Sequence, residues 1–133
     1  MPKAMTIGQL AKAAGVGVET IRYYQRRGIL AIPSKPQGGQ RQYSEESLRL
    51  LAFIRRGQQL GFSLEEILAL VGLRDGGSCA DGRDQAQQKL DELGRRVLEL
   101  NRMRKQLKSI VAKCKANKRR ATCPLIRALD GEP

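Results

Sequence analysis

Three thiols, Cys79, Cys114 and Cys123, stand in a chain that has no histidine at all. Without an imidazole, Ser-His-Asp and Cys-His catalysis are excluded, and so is every metal site that needs a histidine ligand. Three sulfurs alone suit a soft, thiophilic ion. Structural zinc usually takes four ligands, and here only water or a carboxylate is left to be the fourth. The plainer alternative is that the cysteines are small buried hydrophobes, a common fate of a free thiol. Their positions favour the metal. Cys123 precedes Pro124, a pair that suits the first turn of a helix, where the backbone amides favour thiolate over thiol. Cys79 follows Ser78, a helix-capping type, and Lys113, Lys115, Lys118, Arg119 and Arg120 surround the second and third cysteines.

A second set of residues carries a different chemistry. Lys and Arg number 25 against 13 Asp and Glu, a net charge of +12 that a polyanion would hold. The cations are interleaved with hydroxyls and aromatics over Glu19, Thr20, Arg22, Tyr23, Tyr24, Arg26 and Arg27. Arginine bridges guanine edges or grips phosphate, and tyrosine hydroxyls bond phosphate oxygens. Arg41 follows Gly38 and Gly39, which let a backbone approach closely. A charge run is more often a solvated face, and an aromatic at the Tyr24 spacing serves equally well in a core. The agreement of charge, clustering and helix pattern favours nucleic acid.

The elements that must position these residues are legible as helices. Aromatics make up only 4% of the chain and Trp is absent, so a mostly all-α fold packed through aliphatic side chains is expected. Thr6 and Gln9 form a capping-box pattern that opens a helix, and Gly15 and Gly17 break it. Val18 to Arg27 reads as a second helix stopped by Gly28. Two short helices joined by a Gly-containing turn make a helix-turn-helix. The stretch from Gly38 to Tyr43 suits a tight hairpin or wing. Ser44, with Glu45 and Glu46 behind it, caps the next helix, and Ser63-Leu64-Glu65-Glu66 opens another that reaches Val71.

Beyond Ser78 the pattern lengthens. Cys79, Arg83, Ala86, Leu90, Leu93, Val97, Leu100, Arg104, Leu107, Val111 and Cys114 follow one another at alternating spacings of four and three, an unbroken heptad seam. A single helix cannot bury its own seam, so a homodimer is expected, as an antiparallel coiled coil centred near Val97. One continuous helix separates Cys79 from Cys114 by roughly 52 Å. The two cannot share a ligand within one chain, whereas an antiparallel pair sets Cys79 of one chain beside Cys114 of the other. Cys123 lies nine residues past Cys114, within reach of a folded-back loop. The organisation expected is a DNA-binding domain over residues 1–73, a hinge at 74–78, a dimerisation helix at 79–114, and a metal-binding loop with a short helix at 115–133.

The run TIGQLAKAAGVGVETIRYYQRRGIL, with RQYSEESLRLLAFIRRGQQLGFSLEEI after it, resembles the MerR family of transcription regulators. The resemblance covers nearly the whole chain. It implies a winged helix-turn-helix, a homodimer, and a regulator that distorts promoter DNA so that RNA polymerase can start. Carried onto this sequence, the DNA contacts would be Arg22, Tyr23, Arg41 and Tyr43, with Tyr24 beside them. Cys79, Cys114 and Cys123-Pro124-Leu125-Ile126 are similar to the branch that takes Hg(II) as effector in a trigonal three-cysteine site. Sensors of monovalent copper, silver or gold have Ser where Cys79 stands, and the redox-sensing branch has a four-cysteine cluster absent here. Lead, cadmium and zinc responses are the alternatives within the family. Outside it stands a non-sensing architectural DNA-binding protein. An enzyme or metal carrier is disfavoured, since neither a nucleotide-binding Gly motif nor C-x-x-C occurs. No apolar run approaches a membrane span and no signal-peptide pattern opens the chain, so a cytoplasmic location without membrane partners is expected.

Overall fold

The computed structural model describes residues 4–117 and 123–131. The helices are α1 (Ile7–Ala14), α2 (Val18–Arg26), α3 (Glu45–Gln59), α4 (Leu64–Arg74), α5 (Cys79–Ala116) and α6 (Pro124–Leu129). The chain divides into two compact units, Met1–Cys79 and Ala80–Pro133.

The first unit is built from caps and a small aliphatic core. Both capping boxes form: Thr6 accepts from the Gln9 amide while Gln9 accepts from the Thr6 amide, and Ser63 and Glu66 do the same. Helix α2 ends in a left-handed Gly28 at φ +73°, with Gly28 N–H on the Gln25 carbonyl and Ile29 N–H on the Tyr24 carbonyl. That paired closure needs a positive φ that a Cβ would strain, which is why glycine stands there. The α1 to α2 turn is held from a distance, because Arg55 of α3 donates to the carbonyls of Ala14 (3.1 Å) and Gly15 (2.6 Å). Helix α1 packs on α2 and α3, and α3 packs on α4. Leu10, Ile21, Leu51, Ile54 and Ile67 are fully buried between them. Each contributes on the order of 1.5–3 kcal/mol of hydrophobic burial.

Two expectations change. Residues 31–44 form no hairpin, and no strand occurs among the described residues. The loop instead turns at Pro36–Gly39, with Gly39 N–H on the Pro36 carbonyl. A single antiparallel bridge between Met5 and Tyr43 ties it down. Helix α4 continues past Val71 to Arg74, whose guanidinium lies 2.8 Å from Glu46 and over the Phe53 ring. These contacts give the last turn a partner that local sequence does not reveal.

In the second unit α5 runs without a break for 38 residues. Lys89 is buried and paired with Glu92 at 2.7 Å, and Glu92 also meets Arg96. The seam positions Leu90, Val97, Leu100, Leu107 and Val111 are 49–62% exposed in the single chain, and so are Leu98 and Met103 off the seam. Among the described residues no helix is long and apolar enough to cross a membrane.

Candidate functional site

The α2 helix divides its residues between core and solvent by helical phase. Ile21 and Tyr24, three apart, point inward, while Arg22, Tyr23, Arg26 and Arg27 are exposed. Arg22 lines a groove of about 600 Å³ together with Gln25, Lys35, Gln40, Arg41 and Tyr43, and Thr6 to Gly8 close one side. Three cations therefore border one concavity. Arg41 is anchored in it, its Nε donating to the Pro33 carbonyl at 3.0 Å. Tyr23 is 43% exposed, and its hydroxyl accepts from Arg27 at 3.1 Å.

Two of the tyrosines expected to touch DNA are buried in the single chain. Tyr24 is only 6% exposed and belongs to the core cluster. It lies three residues from Ile21 on the buried face of α2. Tyr43 is 3% exposed, and its hydroxyl accepts from Gln25 Nε2 at 2.8 Å. It joins the loop to α2. Gln25, Lys35 and Gln40 were not singled out from the sequence. The spacing of three from Arg22 on one helix was the signal available for Gln25, whereas no local pattern marks Lys35 or Gln40.

The structure brings two of the three thiols together. Cys114 is half-buried on the last full turn of α5, and Cys123 is the N-cap of α6. The amides of Ile126 and Leu125 and the Cys114 thiol lie near the Cys123 sulfur, which makes no capping hydrogen bond of its own. These groups, the Ile126 amide foremost, hold the Cys123 thiol below the ordinary cysteine pKa against a smaller opposing effect of desolvation. The shift favours thiolate, the form that binds metal. Cys79 is exposed at the start of α5, in the first unit. Among the described residues no group of three or more His, Cys, Asp and Glu converges within one chain. The expected basic loop at Lys118, Arg119 and Arg120 lies outside the described residues.

A capped helix pair, a recognition helix with an exposed Arg/Tyr face and a basic loop beside it define a helix-turn-helix DNA-binding protein. The comparisons with known proteins agree. The family described as "MerR HTH family regulatory protein" matches residues 5–71, and "MerR, DNA binding" matches residues 48–110. The chain is similar to the mercuric resistance operon regulatory protein of Shigella flexneri, with 45% identity over 128 residues, covering 96% of this chain and 89% of that protein. Among solved structures it is similar to a MerR of Bacillus megaterium MB1 in complex with mercury(II), at 36% identity and a TM-score of 0.69, covering 95% of this chain and 99% of that one. It is also similar to the regulator PbrR691 of Ralstonia metallidurans CH34 in complex with lead(II), at 29% identity and a TM-score of 0.77, covering 94% and 98%. The chain belongs to the MerR family of transcription regulators and is not an enzyme.

Proposed function

We propose that this regulator binds promoter DNA as a homodimer in the cytoplasm and controls a mercury-resistance operon in response to Hg(II). The observation that carries the reading is the contact between Cys114 and Cys123 in a chain 45% identical to a mercuric resistance operon regulatory protein. The donor chemistry fits a soft ion: two sulfurs face each other, one already favoured as thiolate. The third sulfur is Cys79 of the partner subunit, brought by an antiparallel pairing of the two α5 helices. The exposed seam of α5 supports that pairing, since an aliphatic stripe of this extent needs a cover. Three thiolates with a divalent ion carry a net charge of −1, which Lys113 and Lys115 beside Cys114 offset.

On the DNA side Arg22, Tyr23 and Arg41 make the contacts, and Tyr24 and Tyr43 hold the reading surface in shape. The effector response passes along α5 to the two readers, distorting the promoter so that RNA polymerase can start. The likeness to the lead(II) complex favours a second reading, in which Pb(II) is the effector. Titration of the purified protein with Hg(II), against excess low-molecular-weight thiol and with Pb(II), Cd(II) or Zn(II) as rivals, separates the two. Retention of Hg(II) over the rivals, read by thiolate-to-metal absorption and native mass spectrometry, is the expected result. Preferential retention of Pb(II), or no ion held against the thiol, contradicts it.

A further inference from the structure

Tyr23 is held by a chain of side chains from two helices. Arg27, one turn further along α2, donates from Nη1 to the Tyr23 hydroxyl at 3.1 Å, and its Nη2 reaches Glu65 Oε1 at 3.2 Å. The guanidinium also lies 5.8 Å from the centre of the Tyr23 ring. Glu65 belongs to the first turn of α4, next to Glu66, whose carboxylate is taken by the Ser63 amide in the capping box. With that cap satisfied by its neighbour, Glu65 is left to face α2.

A phenol oxygen that accepts from a guanidinium keeps its own proton to give away. Hydrogen bonds in such a chain reinforce one another, so the O–H becomes a better donor to an anionic oxygen. Arg27 meanwhile has its charge balanced by Glu65, which leaves it poorly placed to act as a phosphate grip itself. We propose that Arg27 and Glu65 are positioning residues that fix the Tyr23 hydroxyl as a donor to a DNA phosphate. The inference rests on the reading of Tyr23 as a DNA contact. It assigns to an acidic residue of α4 a favourable part in binding a polyanion, the reverse of what its charge alone would do.

That reversal makes the test sharp. The probe is a fluorescein-labelled duplex selected by the wild-type protein from a randomised pool, with anisotropy measured across a salt series. Tyr23→Phe is expected to weaken binding about a hundredfold, about tenfold for the one hydrogen bond to a charged group lost in each of the two subunits. Glu65→Gln is expected to weaken it by a similar factor although the protein becomes more positive. The double variant should be no weaker than either alone. Arg27→Lys keeps the charge but loses the fork that reaches both partners, and is expected to lose a similar factor. None of the three should change the salt slope, because no phosphate-neutralising cation is removed. Tyr23, Arg27 and Glu65 are all exposed, so folding is preserved and circular dichroism checks it.

Tighter or unchanged binding by Glu65→Gln, with Tyr23→Phe still weakened, overturns the positioning role and leaves the contact standing. Additive losses in the double variant also overturn it. No loss with Tyr23→Phe removes the contact and the positioning role together.

Discussion

Cys123 owes its chemistry to its position as the N-cap of α6. The amides of the first turn, at Ile126 and Leu125, and the nearby Cys114 thiol favour its thiolate form. A pKa held below the ordinary value means that thiolate survives to lower pH than in a free cysteine. Any stability this contributes is present above the unfolded-state pKa and is lost as pH falls through the folded one. Iodoacetamide, which attacks thiolate, should therefore label Cys123 of the metal-free protein with a midpoint pH below that of N-acetylcysteine. Peptide mass spectrometry across a pH series measures this, and a midpoint at or above that of the free thiol contradicts the assignment. Residue chemistry of this kind was partly legible in the sequence, since Cys-Pro at a helix start already implied the donating amides. The fates of Tyr24 and Tyr43 were harder to read. A tyrosine is amphipathic, and only the phase shared with Ile21 and the bridge to Met5 decide which end meets water.

At the level of elements, local signals located the helices well because caps are local chemistry. Thr6 with Gln9, Ser63 with Glu66, and Gly28 each act within a few residues. Contacts across long separations were not legible. Arg55 closes the end of α1 from about forty residues away, and Arg74 lengthens α4 through Glu46 and Phe53. The wing failed as a hairpin for a related reason: among the described residues its one bridge is with Met5, outside the stretch that suggested it. The α1 to α2 turn offers a direct check. Gly15 sits at φ +70°, and a side chain there would run into the Arg55 guanidinium. Gly15→Ala should cost about 1–2 kcal/mol from the left-handed backbone alone, with a further loss as Arg55 is displaced. Urea unfolding measures it, and an unchanged midpoint would show that the turn does not depend on this arrangement.

For the whole molecule, the chain divides into a unit that holds the helix-turn-helix and Cys79 and a unit that holds the rest of the long helix with Cys114 and Cys123. The first unit has a buried core of its own and two complete capping boxes. The second exposes Val97, Leu100, Leu107 and Val111 along one stripe, and its two converging thiols are one short of a trigonal sulfur site. The proposed second copy in antiparallel register would meet both needs at once. The seam and the three cysteines were legible in the sequence because periodicity and ligand type survive without coordinates. The nine-residue spacing also made the return of Cys123 to Cys114 legible.

The central claim is that each metal site is shared, with Cys79 from one subunit and Cys114 and Cys123 from the other. It is tested most directly by Hg(II) titration of a purified heterodimer, one chain carrying Cys79→Ala and the other Cys114→Ala, against excess low-molecular-weight thiol. Neither mutant homodimer can assemble three sulfurs under a shared arrangement, whereas the heterodimer retains one complete set. One tightly held Hg(II) per heterodimer and none in either homodimer is the expected result. Tight binding by a mutant homodimer, together with none in the heterodimer, would contradict it.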